Sequence, residues 1–232
     1  MHAAALPKHD VTGPLTRALE AASLAAAAAL VVWNTARVAA EPAVLAWWLP
    51  AAVAAGALAA DLASGLVHWA ADTWGRESLP FLGPRFLRPF RVHHVNPDDI
   101  LERGFVDLNG DVALLACPVL IGAALTPLGE DLSGALGVFL TAFGSFSLPT
   151  NQVHRWAHEA RPPRFAVWLQ SKGLILSREA HQKHHAAPHT SHYCIATGWC
   201  NEVLEALRFF PALETAITAL FRTRPRSDEA WR

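Results

Sequence analysis

The chain is poor in cysteine. Cys117, Cys194 and Cys200 are the only three in 232 residues, and three thiols make no disulfide framework. Cys194 and Cys200 stand near a histidine cluster, so they are either zinc ligands or ordinary thiols; a Cys-x5-Cys spacing is not a usual zinc pattern and favours the second reading. A dominant charge of either sign is lacking too. Nineteen Lys and Arg meet twenty Asp and Glu, for a net charge of −1, which leaves no field to hold a nucleic-acid partner. There is no internal repeat and no low-complexity tract beyond runs of alanine. A convincing signal peptide is missing: residues 1–17 hold Pro, Lys, His, Asp and Gly before any apolar run, and no small-residue cleavage site follows. Residues 1–17 read as a disordered leader with His2 and His9 as solvated bystanders, 18–222 as one domain, and 223–232 as a flexible tail.

Apolar residues are abundant. At 52% hydrophobic and 17% charged, the chain is too apolar for an ordinary soluble domain and too charged to lie wholly in a membrane. Four apolar runs stand near 19–40, 43–68, 112–128 and 132–149. Helices of these lengths reach roughly 25–35 Å, the thickness of a bilayer core. Any one run alone also suits a buried helix of a soluble bundle. Four in so short a chain leave too little other surface to wrap them. The expected fold is all-α: an integral membrane four-helix bundle with a cytoplasmic, histidine-ligated metal-site cap.

Arginine placement gives the orientation. The short links Glu41-Pro42 and Gly129-Glu130-Asp131 carry no Lys or Arg, whereas the 69–110 loop carries Arg76, Arg85, Arg88, Arg91 and Arg103, and the segment after residue 150 carries many more. The excess of positive residues on cytoplasmic loops puts the N-terminus, this loop and the C-terminal segment in the cytoplasm. Every histidine cluster then falls on one side, although the charge argument never used the histidines. Within the loop, Asn109-Gly110-Asp111 reads as a turn and N-cap for the third helix. Residues 165–176 and 203–221 are amphipathic, suited to the membrane surface or to packing on the domain, with Pro211 expected to kink the second.

The chemistry is in the histidines. Nine of the twelve fall in four clusters: His68 with Asp72; His93-His94; His154 and His158; and His181, His184, His185 with His189. Neutral imidazole is the commonest metal ligand at physiological pH. Histidines three or four apart on a helix share a face, so the third and fourth clusters each aim two rings inward. Asp72, one turn after His68, suits a carboxylate that fixes an imidazole tautomer. Asp61, two turns before it, lies inside an apolar run; it either serves a ligand or polar cavity, or marks an early end of the span at the interface. His192, beside Tyr193 and Cys194, is left out of the ligand set. Ligation by nitrogen, with few acids and no thiolate, fits iron, copper or zinc.

These residues resemble a known family. His68-Trp69-Ala70-Ala71-Asp72-Thr73-Trp74-Gly75, Arg91-Val92-His93-His94-Val95-Asn96-Pro97, Asn109-Gly110-Asp111, Asn151 to His158, His181 to His189 and Tyr193 to Asn201 are similar to motifs of the Kua-type, or plasmanylethanolamine desaturase, family. The similarity runs over about residues 45–207 and its motifs are specific. Val92 and His192 depart from the expected pattern. The resemblance implies a four-helix membrane protein with two Fe ions on His68, His93, His94, His154, His158, His181, His184, His185 and His189, supported by Asp61 and Asp72. It implies O2 as co-substrate, a membrane ether phospholipid as substrate, and an external electron donor of cytochrome b5 or ferredoxin type. The expected reaction converts an alkyl ether phospholipid to a vinyl ether phospholipid. Alternatives are acyl-chain desaturation or hydroxylation at the same metals, or a non-catalytic membrane protein that binds zinc or copper.

Overall fold

The structure, a computed structural model, describes residues 6–44 and 46–226; the expectations for His2 and for residues 227–232 lie outside these. Helices form on all four apolar runs and extend beyond most of them. In chain order they are α1 (Pro14–Ala40), α2 (Leu49–Thr73), α3 (Arg88–Val95), α4 (Asp99–Glu102), α5 (Phe105–Leu125), α6 (Leu132–Ser147), α7 (Thr150–His158), α8 (Arg164–Ser171), α9 (Arg178–His184), α10 (Asn201–Ala206) and α11 (Phe209–Phe221). No strand occurs among the described residues. Local signals account for several starts. Pro14 opens α1, where its missing N–H costs nothing. Asp131 caps α6 by accepting from the Ser133 N–H, and Ser177 caps α9 by accepting from the Ala180 N–H.

Three expectations need correction. Asn109-Gly110-Asp111 lies inside α5, which begins at Phe105 behind Gly104. Asn109 supports the helix by donating to the Phe105 carbonyl one turn back (2.9 Å). Gly110 is there because the stem of Glu20 passes where a Cβ would be: the two Cβ positions would be 2.3 Å apart. Secondly, Pro211 does not kink a helix. The break falls before it, at Arg208 with φ 50°, and Pro211 sits in the first turn of α11, where no N–H is needed. Thirdly, the leader is engaged. His9 meets both Asp99 oxygens at 3.0 Å, Lys8 pairs with Glu102 at 2.7 Å, and Asn96 donates to the Pro7 carbonyl.

The chain divides into two compact units. One takes Thr12–Ala63 and Gly104–His154; the other takes Ser64–Arg103, Arg155–Arg232 and the leader up to Val11. The first is the helix bundle. Its core is Ala27 against Ala113, Ala116 and Leu120, flanked by Leu24, Leu30, Val31, Cys117 and Leu148. Small residues let helices approach closely, as helices in lipid do. Gly56 of α2 faces Ala142 and the α6 backbone, and Gly144 faces Leu120. Polar groups of α1 are used against α5: Asn34 donates to the Leu120 carbonyl, and Arg37 donates to the Ala123 and Thr126 carbonyls, capping the end of that helix.

Four segments are long and apolar enough to cross a membrane: Pro14–Ala40, Leu49–Thr73, Phe105–Leu125 and Leu132–His158. Between 17% and 39% of their apolar windows is buried within the protein. The remainder presents side chains such as Val32, Trp33, Leu115 and Leu125 outward. That much apolar surface suits hydrocarbon rather than water, and the protein is a membrane protein.

Two glycines test this packing in opposite directions. Gly110→Ala should destabilise the detergent-solubilised protein by about 1–3 kcal/mol, because Glu20 and the α1 backbone must move. Gly122→Ala, in the same helix with nothing within 4 Å of its Cβ, should stabilise by up to about 1 kcal/mol through helix propensity. Thermal unfolding of both variants measures the contrast.

Candidate metal centre

The second unit gathers the histidines. α2 brings His68 and Asp72, α3 brings His93 and His94, α7 brings His158, and α9 with its exit brings His181, His184, His185 and His189. Their ligand atoms form three overlapping groups within 4.8 Å of one another: His93, His158, His181 and His185; His68, Asp72, His94 and His184; and His94, His185 and His189. His154 is buried one turn before His158, so the two share a helix face. No cysteine joins these groups among the described residues. Cys194 instead packs against Gly65, and Cys200 stands at the start of α10. His192 also lies outside them, beside the Ser191 hydroxyl and Glu202.

The orientation of the rings is set from behind. His68 Nδ1 donates to the Tyr193 carbonyl (3.1 Å), His184 Nδ1 to the Ser191 carbonyl (2.7 Å), and His189 Nδ1 to the His184 carbonyl (3.2 Å). A carbonyl only accepts, so the proton is on Nδ1 and the lone pair is on Nε2. The Nε2 atoms face one another: His184 to His94 at 3.2 Å, His185 to His93 at 3.1 Å and His185 to His181 at 3.0 Å. Two ligands about 2.1 Å from one ion at right angles are about 3.0 Å apart. The spacing therefore fits nitrogens gathered around cations.

Asp72 Oδ2 lies 2.9 Å from His94 Nε2, 3.4 Å from His68 Nε2 and 3.7 Å from His184 Nε2, on the side where the lone pairs converge. Main-chain carbonyls fix the tautomers of His68, His184 and His189, and Asp72 stands within the group of His68, His94 and His184. Its buried Oδ1 has no hydrogen-bond partner among the described residues, as suits a carboxylate that completes a metal's coordination. Asp61 is fully buried in the middle of α2.

Several supporting residues are not evident from spacing. Ser64 accepts from the Ile195 N–H, and Asn201 bridges both backbone groups of Cys194. A Cβ on Gly65 would meet Cys194 Sγ at 2.5 Å. These contacts lay the 193–195 segment along α2 and place the Tyr193 carbonyl behind His68. Arg155, between two histidines of α7, donates to the Arg103 and Leu101 carbonyls and fixes the exit of α4. The Tyr193–Asn201 motif was the one sequence signal for the first set.

Residues 57–228 match the lipid desaturase domain family. The chain belongs to the lipid desaturase family. It is 39% identical over 216 residues to a Myxococcus xanthus protein named plasmanylethanolamine desaturase, covering 93% of this chain and 77% of that one. It is 44% identical over 186 residues to plasmanylethanolamine desaturase 1 of Mus musculus, covering 76% and 68%. It is also 36% identical over 185 residues to an Arabidopsis thaliana chloroplastic protein named fatty acid desaturase 4-like 1, covering 78% and 61%. No solved structure matches the chain significantly. The chain is thus an oxidoreductase of lipid metabolism, and the alternative of a non-catalytic metal binder falls.

Burial and then neighbouring imidazoles keep the rings neutral. His185 is lowered to about 2 by burial and then by His158, His94, His68 and His189. His184 and His189 are lowered for the same first reason, burial. Unfolded imidazoles take up protons near pH 6.5, while these do so only in stronger acid. The unfolded chain then binds more protons below that pH, and stability falls as pH drops. Metal-stripped protein should melt at a lower temperature at pH 5.5 than at pH 7.5; a flat profile would contradict neutral burial. Gly65→Val should displace the 193–195 segment and lower metal content and activity by about tenfold or more, as loss of a ligand's outer partner does.

Proposed function

We propose that the chain desaturates an alkyl ether phospholipid to the vinyl ether form. One O2, two electrons and two protons enter; one vinyl ether and two waters leave, with one hydrogen removed from each of the first two carbons of the alkyl chain, counted from the ether oxygen. The observation that carries this reading is the convergence of Nε2 atoms and the Asp72 carboxylate into groups with ligand spacing, in a chain similar to two proteins named plasmanylethanolamine desaturases. His68, Asp72, His94 and His184 would hold one iron, and His93, His154, His158, His181 and His185 the other, with His189 beside both. Bound iron supplies oxygen activation and hydrogen abstraction from an unactivated C–H bond. The chain's own residues orient the rings, keep them unprotonated and exclude water: His68, His93, His94, His181 and His184 are each less than 9% exposed. Asp61, two turns before His68 in α2, supports the centre from within the span. Electrons come from an external carrier of cytochrome b5 or ferredoxin type.

The arginines put the leader, the loop after α2 and everything after α7 in the cytoplasm, with the links between α1 and α2 and between α5 and α6 on the far side. A single cysteine at position 41 or 130 should resist a membrane-impermeant thiol reagent applied from the cytoplasmic side of sealed vesicles. Ready labelling would reverse the orientation.

Alanine at His94, His158, His181 or His185 should abolish vinyl ether formation in a host supplied with ether lipid, and should lower the iron bound below about two per chain. His192→Ala should retain substantial activity. Lipid analysis reads the product as acid-labile vinyl ether; new acyl double bonds or hydroxyls would reassign the substrate. Intact turnover in His158→Ala and His185→Ala would remove the metal reading altogether.

A further inference from the structure

A second feature lies on the same unit, at the end of α2. Thr73, Gly75, Arg76, Glu77, Arg91, Arg224, Pro225 and Arg226 line a polar cleft of about 500 Å³. Four guanidinium groups and one carboxylate converge there. Arg91 is 6% exposed, and its Nε has no hydrogen-bond partner among the described residues. Its Nη2 donates to the Trp74 and Gly75 carbonyls, and the Arg226 N–H donates to the Thr73 carbonyl. The Thr73, Trp74 and Gly75 carbonyls at the end of α2 are thus engaged by donors of the cleft. Glu77 Oε1 is 3.9 Å from Arg91 Nη1 and half-exposed, so it does not neutralise the cleft. After burial, the Arg91 charge is the main influence lowering Arg226, to about 10. Positive charge is therefore in excess.

Placement says which anion. Thr73 directly follows Asp72, and Arg91 precedes His94 by three residues on α3. Along each helix, residues lining the cleft are thus within one turn of a histidine or carboxylate of the centre, an axial rise of about 5 Å at most. In a glycerol ether phospholipid, six bonds join the phosphorus to the first alkyl carbon, a reach of roughly 6–8 Å. A reaction at the carbons beside the ether oxygen holds the phosphate close to the metals; a reaction in mid-chain does not. Resting on the reaction proposed above, we propose that this cleft binds the substrate's headgroup: the arginines take the phosphate, and Glu77 takes the ammonium of an amine-bearing headgroup. Guanidinium forks match phosphate oxygens, and charge-assisted bonds of this kind are the strong ones.

The test uses the full-length, iron-loaded protein in detergent with the double variant Arg76→Gln/Arg224→Gln, both exposed residues. Binding of an alkyl-acyl phosphoethanolamine lipid from mixed micelles, followed by phosphorus NMR, should weaken by about tenfold or more. KM should rise in proportion while kcat and iron content hold. The corresponding ether lipid without phosphate should bind wild type and variant alike, and Arg76→Lys/Arg224→Lys should recover most of the loss. Glu77→Gln should reduce the preference for an amine-bearing headgroup over one ending in a bare phosphate. Inorganic phosphate should compete with the lipid in wild type; phosphate binding that does not displace lipid would assign the cleft to free phosphate and overturn the proposal. Unchanged lipid binding with slower reduction by an acidic electron carrier would overturn it in favour of a protein partner. Weakened binding in a variant whose wild type forms no vinyl ether would keep the headgroup site and remove the reaction. Vinyl ether formation with unchanged lipid binding would do the reverse.

Discussion

An imidazole coordinates through a nitrogen that carries no proton, and here the main chain selects that nitrogen. The carbonyls of Tyr193, Ser191 and His184 accept from Nδ1 of His68, His184 and His189. Two of these three acceptors lie in the stretch between α9 and α10. That stretch makes no regular secondary structure, so its carbonyls are available for side chains instead of a ladder. Its own position depends on Ser64, on Asn201 and on the missing side chain of Gly65. Loss of any of these would alter more than a distance. It would release the preference for one tautomer, and a ring with its proton on Nε2 presents no lone pair from that nitrogen to the centre.

The same arrangement sets an electrostatic constraint. Imidazole nitrogens 3.0–3.2 Å apart are comfortable only with something positive between them. Protons are the ordinary answer, but burial opposes them, as His184 and His185 show. A metal ion satisfies the lone pairs without placing charge on each ring. Soluble di-iron bundles solve the problem with several carboxylates; this centre has Asp72 alone within its ligand groups. Asp72 therefore carries weight out of proportion to its number, because it supplies the one formal negative charge among those ligand atoms.

Much of this was legible in the residues. The four spans, the all-α class and the histidine clusters follow from periodicity, length and spacing, since hydrophobic runs and i,i+4 pairs are local properties. The family was legible from motifs. Boundaries were less so. Gly110 looks like a turn residue, but its glycine serves contact with Glu20, ninety residues away in sequence. Pro211 looks like a kink but falls in a first turn, where proline is tolerated. His9 looks idle in a polar leader, yet Asp99 holds it. In each case the deciding partner is remote, and no local pattern names it. Asp72 was found as a residue, but spacing shows only that a carboxylate is near a histidine and not which ring nitrogen it faces.

Burial around the centre is uneven. His68 and His184 are fully enclosed, and His94 is 8% exposed. His158, His185 and His189 are only partly covered. The group of His94, His185 and His189 shares one member with each of the other two groups, so its exposed edge is the side from which both are reached. The protein encloses the His68, Asp72 and His184 side, where the Tyr193 and Ser191 carbonyls fix two of the rings. It leaves uncovered the side on which no such carbonyl stands behind His185. The enclosed side and the open side are then set by which face of each imidazole is given to the protein.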